Sequence, residues 1–134
     1  MYILKSVRFV QAIVFVNSLA QVDSLQKLLK KQQFQSNSLH SQLSISERIS
    51  NLKQFKSGQT RILLTTDLFG RGMDVRSVTL IVNFDIPKES ETFVHRSGRA
   101  GRQGREGTVV SFAEQGDYRV VQWCAENEWK AEVI

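Results

Sequence analysis

The chain has little cysteine and no long apolar run, and these absences exclude several classes of protein. Its 134 residues include a single cysteine, Cys124. One cysteine cannot build a disulfide framework or a cysteine–histidine metal site, so a reducing compartment fits. No stretch approaches the roughly 18 apolar residues that cross a membrane. Residues 1–8 lack the apolar segment and small-residue cleavage site of a secretion signal. We therefore expect an intracellular protein with no membrane partner.

Charge is spread unevenly over a chain whose length suits one domain with a proper core. Residues 1–66 hold nine Lys/Arg against two acids, a net +7, whereas residues 67–134 hold nine against eleven, a net −2. A basic half of this kind suits a polyanion, and nucleic acid is the usual one. Solvated lysines on helix faces would explain the charge equally well, so charge alone does not decide the function.

Apolar residues alternate between two periods, which predicts strands and helices in turn. Residues 10–16 form a short run rich in valine and isoleucine, typical of a buried strand. Leucine and valine then recur at helical spacing from Leu19 to Leu29. The same reasoning predicts further strands at residues 34–40, 61–66, 78–84 and 108–112, and further helices at residues 89–96 and 117–128.

One more helix is predicted from a capping box, which Ser44 and Glu47 form three residues apart. Behind it, Ile49, Leu52 and Phe55 supply an apolar stripe. Gly58 is expected to end this helix as a left-handed cap.

This alternation predicts an α/β domain in which parallel strands are joined by right-handed crossovers and helices cover both faces of the sheet. No internal repeat, low-complexity segment or linker interrupts it. Ligands of an open parallel sheet sit at the carboxyl ends of the strands. Polar residues fall there in this sequence: Asn17-Ser18, His40-Ser41, Thr65-Thr66-Asp67, and an arginine-rich segment after a helix. We therefore expect a functional edge.

Residues 95–107, with the sequence HRSGRAGRQGREG, form the arginine-rich segment. Arginine recurs there at every third position beside glycine. So many glycines would cost a long helix about 1 kcal/mol each, so a helix end running into a loop is predicted. Guanidinium groups on a closely approachable backbone suit phosphate, because the planar fork binds two oxygens. A disordered Gly/Arg tail is the alternative, but residues 108–112, which follow, have the pattern of a buried strand.

A second signal spans residues 65–74, with the sequence TTDLFGRGMD. A strand ends in two hydroxyl residues and an acid, and a Gly-Arg-Gly turn leads to Asp74. Hydroxyls and backbone N–H groups at such a point suit a phosphate of a nucleotide or a nucleic acid. Asp74 suits a ribose hydroxyl, although a role as a turn or cap residue is equally compatible with its position.

Together these residues resemble the C-terminal RecA-like domain of DEAD-box RNA helicases. Residues 13–18 are similar to motif IV of that family, residues 65–74 to motif V and residues 95–102 to motif VI, so the resemblance covers residues 10–112. The sequence of residues 68–74 and 99–102 most resembles that of the DECD-box branch, which serves pre-mRNA splicing and mRNA export. That branch usually has Asn where Asp67 stands and Ala where Gly98 stands.

The resemblance implies a three-layer RecA-like fold and roles at an ATP site between two domains. Arg99 and Arg102 match the arginine fingers that reach the γ-phosphate, a contact worth about 10³-fold or more in rate. Asp74 matches the residue that contacts the ribose. Arg71 and Gly72 match residues of the nucleotide site and its interdomain side. His95 and Arg96 match residues that couple the two domains.

The resemblance also implies contacts with RNA. Ser18, Thr65 and Thr66 match residues that touch RNA phosphates, and Arg48 matches the arginine of the family's Gln-x-x-Arg element. Ile45 stands in place of that glutamine, so the element is only half present. Ser41 and Gln42 also replace the usual glycine-containing turn, which affects the contacts expected from that loop.

Several of these residues also suit structural roles. Ser18 is a plausible helix N-cap, and a cap and a phosphate contact are compatible. His40 at a strand end is expected to be structural. Trp123 and Trp129 could stack on bases, but their place on a terminal helix favours packing within the fold.

The chain lacks two elements that ATP hydrolysis requires. No glycine precedes a lysine, so there is no phosphate-binding loop of the Walker type, and no Asp-Glu-x-Asp element appears. We therefore expect residues 1–134 to be a helicase C-terminal domain that does not hydrolyse ATP or bind it tightly alone. An N-terminal RecA-like domain would hold ATP with Mg²⁺.

The expected partners are that domain, single-stranded or short duplex RNA, and splicing or export adaptor proteins in the nucleus. Two alternatives remain: a non-catalytic RNA- or protein-binding module, and half of a DNA helicase.

Overall fold

A computed structural model describes residues 2–66, 75, 77–100 and 107–132. Strands and helices alternate along these residues. In chain order they are α1 (Tyr2–Ser6), β1 (Gln11–Phe15), α2 (Leu19–Lys31), β2 (Ser36–Leu39), α3 (Ile45–Lys56), β3 (Ile62–Thr65), β4 (Val78–Asn83), α4 (Ser90–Ser97), β5 (Thr108–Ser111) and α5 (Arg119–Glu126). None of the helices in these ranges is long and apolar enough to cross a bilayer.

The strands form a five-stranded sheet in the order β2-β3-β1-β4-β5, and every neighbouring pair is parallel. At its centre Ile13 of β1 lies opposite Leu63 of β3 and Ile81 of β4. The sequence predicts a mainly parallel sheet of five or more strands, and the structure confirms this prediction.

Successive residues of the central strands belong to two separate apolar clusters, one on each face of the sheet, because side chains alternate between the faces. On one face, Ala12 and Val14 of β1 pack in a cluster with Val22 and Leu29 of α2. On the other face, Ile13 and Phe15 pack in a cluster with residues that include Phe55 of α3. The sheet therefore lies between helices, which confirms the three-layer α/β/α architecture.

Local capping signals place the ends of two helices as the sequence predicts. Ser44 accepts a hydrogen bond from the backbone N–H of Glu47, and the carboxylate of Glu47 accepts one from the N–H of Ser44. This is the predicted capping box. Gly58, with a φ of +84°, adopts the left-handed conformation predicted for the end of α3. The hydroxyl of Ser18 accepts from the N–H of Gln21 and caps α2.

One helix was missed, and two expectations were wrong. The five-residue helix α1 was not predicted, because it is too short to show a helical period. Ile49 is 63% exposed although it was assigned to a buried stripe; burial increases from Ile49 through Leu52 to Phe55, so only the second half of α3 rests on the sheet. Strand β5 was expected to be buried, but Thr108 and Val109 are exposed and Val110 and Ser111 are half-buried, whereas β2, the other edge strand, is mostly buried.

Candidate functional site

The strand order creates a crevice at the carboxyl ends of β1 and β4. These strands are neighbours, but the chain leaves β1 towards β2 on one side and leaves β4 towards β5 on the other. Ligands of open α/β sheets bind at such a reversal of strand order. The β1–α2 loop, with Asn17 and Ser18, lies at this point. It is therefore the natural centre of a candidate site.

The carboxylate of Asp85, two residues beyond β4, holds the β1–α2 loop. One oxygen, Oδ2, accepts a hydrogen bond of 2.7 Å from the backbone N–H of Asn17. The other, Oδ1, lies 3.4 Å from Nε2 of Gln21 in the first turn of α2. Since the hydroxyl of Ser18 caps the same helix, three contacts fix this loop at the crevice. Ser18 itself is exposed beside the N-terminus of α2, where free N–H groups suit a phosphate.

Arg96 lies inside the domain, with only 2% of its surface exposed. Its Nη1 donates to Oδ1 of Asn83 at 2.9 Å and to the backbone carbonyl of Asp85 at 2.8 Å. The guanidinium carbon lies 4.8 Å from the centre of the Phe15 ring. A buried charge is costly unless it is well hydrogen-bonded, and these contacts compensate it. Arg96 therefore ties α4 to the ends of β1 and β4.

Asp85 thus contacts both the β1–α2 loop and α4. Its carboxylate accepts a hydrogen bond from the loop, and its backbone carbonyl accepts one from Arg96 of α4. Sequence reasoning missed Asp85 and Asn83, whose amide also donates to the Ser111 hydroxyl at 2.9 Å. A signal was present, because both residues are polar and stand at or after the end of an apolar strand.

We expect Asp85→Ala to destabilise the domain by about 1–3 kcal/mol, because it leaves the N–H of Asn17 without its charged acceptor. Urea denaturation followed by circular dichroism measures this loss. Asp85→Asn is the matched control, since it keeps a side-chain oxygen and should cost less. Equal stability of the wild type and the alanine variant would contradict the clamp.

Helix α4 ends at Ser97, inside the arginine-rich segment, as the glycine-rich pattern predicts. Gly98 caps α4 by donating to the carbonyl of Val94 at 2.9 Å, and the N–H of Arg99 donates to the carbonyl of Arg96 at 3.1 Å. Arg99 is half-buried, whereas His95 is exposed. The other predicted nucleotide-site residues, Arg71, Gly72, Asp74 and Arg102, lie outside the described residues.

Thr65 and Thr66 end β3 at the same edge of the sheet. Thr65 is fully buried, and its hydroxyl lies 2.9 Å from the carbonyl of Leu39 and 3.1 Å from that of Thr66. Its hydroxyl therefore joins the ends of β2 and β3 within the fold. Thr66 is half-buried and continues towards the edge.

Arg48 supports the loop between β2 and α3. Its Nη2 donates to the carbonyl of Ser41 at 2.7 Å, and its Nε donates to that of Leu43 at 3.0 Å. In the same loop, Nδ1 of His40 accepts from the N–H of Gln42 at 3.2 Å, which agrees with the structural role expected for this histidine. Arg48 thus organises the loop that lacks the usual glycine, while Ile45, in place of a glutamine, is 73% exposed.

Trp123 and Trp129 contact a buried ring of α4. The ring of Phe93 in α4 lies 5.5 Å from that of Trp123 and 6.1 Å from that of Trp129, so both tryptophans pack against the fold, as expected. Burial raises the pKa of the Cys124 thiol, which disfavours its reactive thiolate form. In the ranges that the structure describes, no group of three His, Cys, Asp or Glu could hold a metal ion.

A family model described as the helicase conserved C-terminal domain matches residues 1–104. The chain belongs to this family, and its fold matches the C-terminal domain of the DEAD-box protein Dbp5 with a TM-score of 0.83 at 27% identity, over 94% of this chain and 74% of that one.

Two of its relatives are an RNA helicase and an initiation factor. The chain is 40% identical to the ATP-dependent RNA helicase SUB2 of Phaeosphaeria nodorum over 131 residues, which cover 98% of this chain and 30% of that protein. It is 39% identical to eukaryotic initiation factor 4A of Caenorhabditis elegans over 113 residues, 84% of this chain and 28% of that protein. The chain thus spans about a third of these relatives.

Among solved structures, the chain is similar to S. cerevisiae Dbp5 bound to RNA and ADP BeF3. The TM-score is 0.75, the sequences are 30% identical, and the match covers 87% of this chain and 31% of that one.

Proposed function

We propose that this chain acts as the C-terminal half of an ATP-dependent RNA helicase. An N-terminal RecA-like domain would supply the phosphate-binding loop and the acidic motif, and with them the Mg²⁺ that accompanies ATP. The observation that carries the proposal is the Asp85-centred network, because it joins the loop of Ser18 to the helix that leads into Arg99. Ser18, which would contact RNA, and Arg99, which would contact ATP, are thereby linked through Asp85 and the buried Arg96.

On the nucleotide side, Arg99 and Arg102 would act as arginine fingers. They would reach the γ-phosphate across the cleft between the two domains and stabilise the charge that develops on it. Asp74 would contact the ribose, and Arg71 and Gly72 would line the nucleotide site.

Two residues of α4 would couple the domains in different ways. Exposed His95 suits a direct contact with the other domain, whereas buried Arg96 would act by holding α4 in place.

On the RNA side, the β1–α2 loop would receive phosphates. Ser18 and the free N–H groups at the start of α2 present donors to them, and Asp85 keeps the loop in that position. Thr66 would contribute at the end of β3, and Thr65, whose hydroxyl is used within the fold, through its backbone. Arg48 would shape the β2–α3 loop and meet the phosphate backbone beside it.

Closure of the cleft would convert binding energy into strand separation. ATP and RNA bound between the two domains favour the closed state, in which the arginine fingers reach the γ-phosphate and one RNA strand is bent. Hydrolysis then removes the contacts that hold the cleft shut, so the domains reopen.

A role in pre-mRNA splicing or mRNA export, with adaptor proteins and a nuclear location, is the finer form of the proposal. Two observations support it: the sequence of residues 68–74 and 99–102, and the 40% identity to the helicase SUB2. A function in translation is the competing assignment, and the 39% identity to eukaryotic initiation factor 4A supports it.

Reconstitution tests the proposal. The chain is fused to, or mixed with, the N-terminal helicase domain of its own protein or of a close relative, and ATP hydrolysis is followed with and without RNA. We expect ATPase activity that requires both domains and rises when RNA is added. RNA binding without stimulated turnover would favour a non-catalytic module, and equal stimulation by RNA and DNA of the same sequence would favour a DNA helicase.

A further inference from the structure

An open groove of about 560 Å³ lies at the amino edge of the sheet, opposite the carboxyl edge described above. Phe9 and Val10, which precede β1, Arg61, which precedes β3, and Thr79 at the start of β4 line it. The hydroxyl of Thr79 accepts a hydrogen bond of 3.0 Å from the N–H of Val10 and closes one wall. Because β1 is five residues long, the groove and the β1–α2 loop are about 15–20 Å apart.

Arg61 is held in a fixed position at this groove. Its Nη2 donates to the carbonyl of Phe9 at 2.7 Å, its Nε donates to that of Val10 at 3.3 Å, and its guanidinium carbon lies 4.4 Å from the centre of the Phe9 ring. A guanidinium has five N–H donors, so three remain for a ligand. The side chain is exposed. A fixed fork with donors directed to solvent suits the paired oxygens of a phosphate.

Other cations surround this fork. Exposed Lys5 and Arg8 line the groove together with Arg61, and none of its lining residues is acidic. Lys5 donates to the side chain of Gln32 at 2.7 Å, which brings the groove next to the last turn of α2 with Lys30 and Lys31. Three cations therefore line the groove, and two more stand in the adjacent last turn of α2.

The two acids of residues 1–66 lie apart from this cluster. Asp23 is paired with Lys27 at 3.2 Å, and Glu47 caps the start of α3. The positive charge of the amino edge is therefore not neutralised by this part of the chain.

We propose that this amino-edge groove binds the phosphates of RNA, as a second RNA contact separate from the carboxyl edge. The proposal rests on the proposed function only in naming RNA as the polyanion. Phosphate is favoured over the carboxylates of an acidic protein segment because the fork of Arg61 is fixed before binding and two further cations, Lys5 and Arg8, line the same groove. Contacts of this kind read no sequence and add salt-dependent affinity.

Binding of fluorescent oligouridine to the isolated chain, measured by anisotropy at several salt concentrations, tests the proposal. The variant is Lys5→Gln with Arg8→Gln, two exposed positions that leave Arg61 in place. Each lost contact with a single strand lowers the slope of log affinity against log salt by about 0.7. We therefore expect the slope to fall by about 1.4, so the affinity ratio of wild type to variant shrinks about sevenfold between 50 and 200 mM salt.

The matched control is Lys27→Gln with Lys130→Gln, which removes two exposed charges away from the groove. Thermal melting checks that both double variants fold. Equal slopes for the two double variants, or no binding of oligouridine at low salt, would overturn the proposal. Polyglutamate that competes as strongly as RNA would assign the groove to an acidic protein segment instead. The assay needs no ATP, so a failed reconstitution of ATPase activity leaves its outcome unaffected.

Discussion

Replacing Arg99 or Arg102 by alanine is expected to lower RNA-stimulated ATP hydrolysis about 10³-fold in the reconstituted two-domain protein. An arginine finger stabilises the charge that builds up on the γ-phosphoryl group in the transition state, and it makes that contact less fully in the ground state. A loss of 10³-fold corresponds to about 4 kcal/mol of transition-state stabilisation. The effect should therefore appear in kcat, with the KM for ATP changing much less. Steady-state kinetics at saturating RNA measures both constants.

Two controls separate this role from a general effect of charge. Arg119→Ala removes an exposed arginine whose guanidinium is paired with Asp117 at 2.8 Å, and activity should stay within about twofold of the wild type. Arg99→Lys keeps the positive charge but loses the planar fork, so it should recover only a small part of the lost rate. If Arg99→Ala and Arg102→Ala both kept more than about a tenth of the wild-type kcat, neither side chain could be a finger.

The sequence predicts most elements of this domain because each has a local physical signal. The capping box of Ser44 and Glu47 and the left-handed Gly58 depend on residues within three or four positions, and both are present as predicted. The strands are recognised as short apolar runs because both faces of a parallel sheet are covered. Such signals fix where elements begin and end, and they leave the order of the strands in the sheet open.

The errors arise where burial is decided by distant parts of the chain. The pattern of β5 is apolar, yet its first two residues are exposed, whereas β2, the other edge strand, is mostly buried although it is rich in polar residues. Ile49 continues a helical stripe, yet the helix rests on the sheet only further along, at Phe55. Apolar character and periodicity are local properties of the sequence. Whether a strand or a helix turn is buried depends on another element that packs against it.

The site shows the same division. Ser18, Arg96 and Arg99 are predicted site residues because of their motifs, whereas no motif indicates Asp85, which holds the loop of Ser18, or Asn83, which accepts from Arg96. Asp85 and Asn83 belong to no short pattern, and their role appears only when β4 is placed beside β1. Arginine is almost never fully buried unless it is paired, so nothing local predicts that Arg96 lies in the interior while its neighbour His95 is exposed.

Arg96→Met is expected to destabilise the domain by about 2–5 kcal/mol, because two buried acceptors each lose a donor at a cost of about 1–3 kcal/mol. Methionine fills much of the volume, but it leaves Oδ1 of Asn83 and the carbonyl of Asp85 without their donor. Small domains are stable by only about 5–15 kcal/mol, so much of that stability would be lost. Urea denaturation of the isolated chain, followed by circular dichroism, measures the change.

The neighbouring residue of α4 provides the control for this prediction. His95→Ala changes an exposed side chain on the same helix and should alter the free energy of unfolding by about 0.5 kcal/mol or less. Arg96→Lys keeps the charge and one donor, so it should lie between Arg96→Met and the wild type. Unchanged stability in Arg96→Met would mean that the buried guanidinium does not hold α4. The link from the β1–α2 loop through Asp85 to Arg99 would then have no physical basis, because the start of the arginine-rich segment would no longer depend on the loop at the crevice.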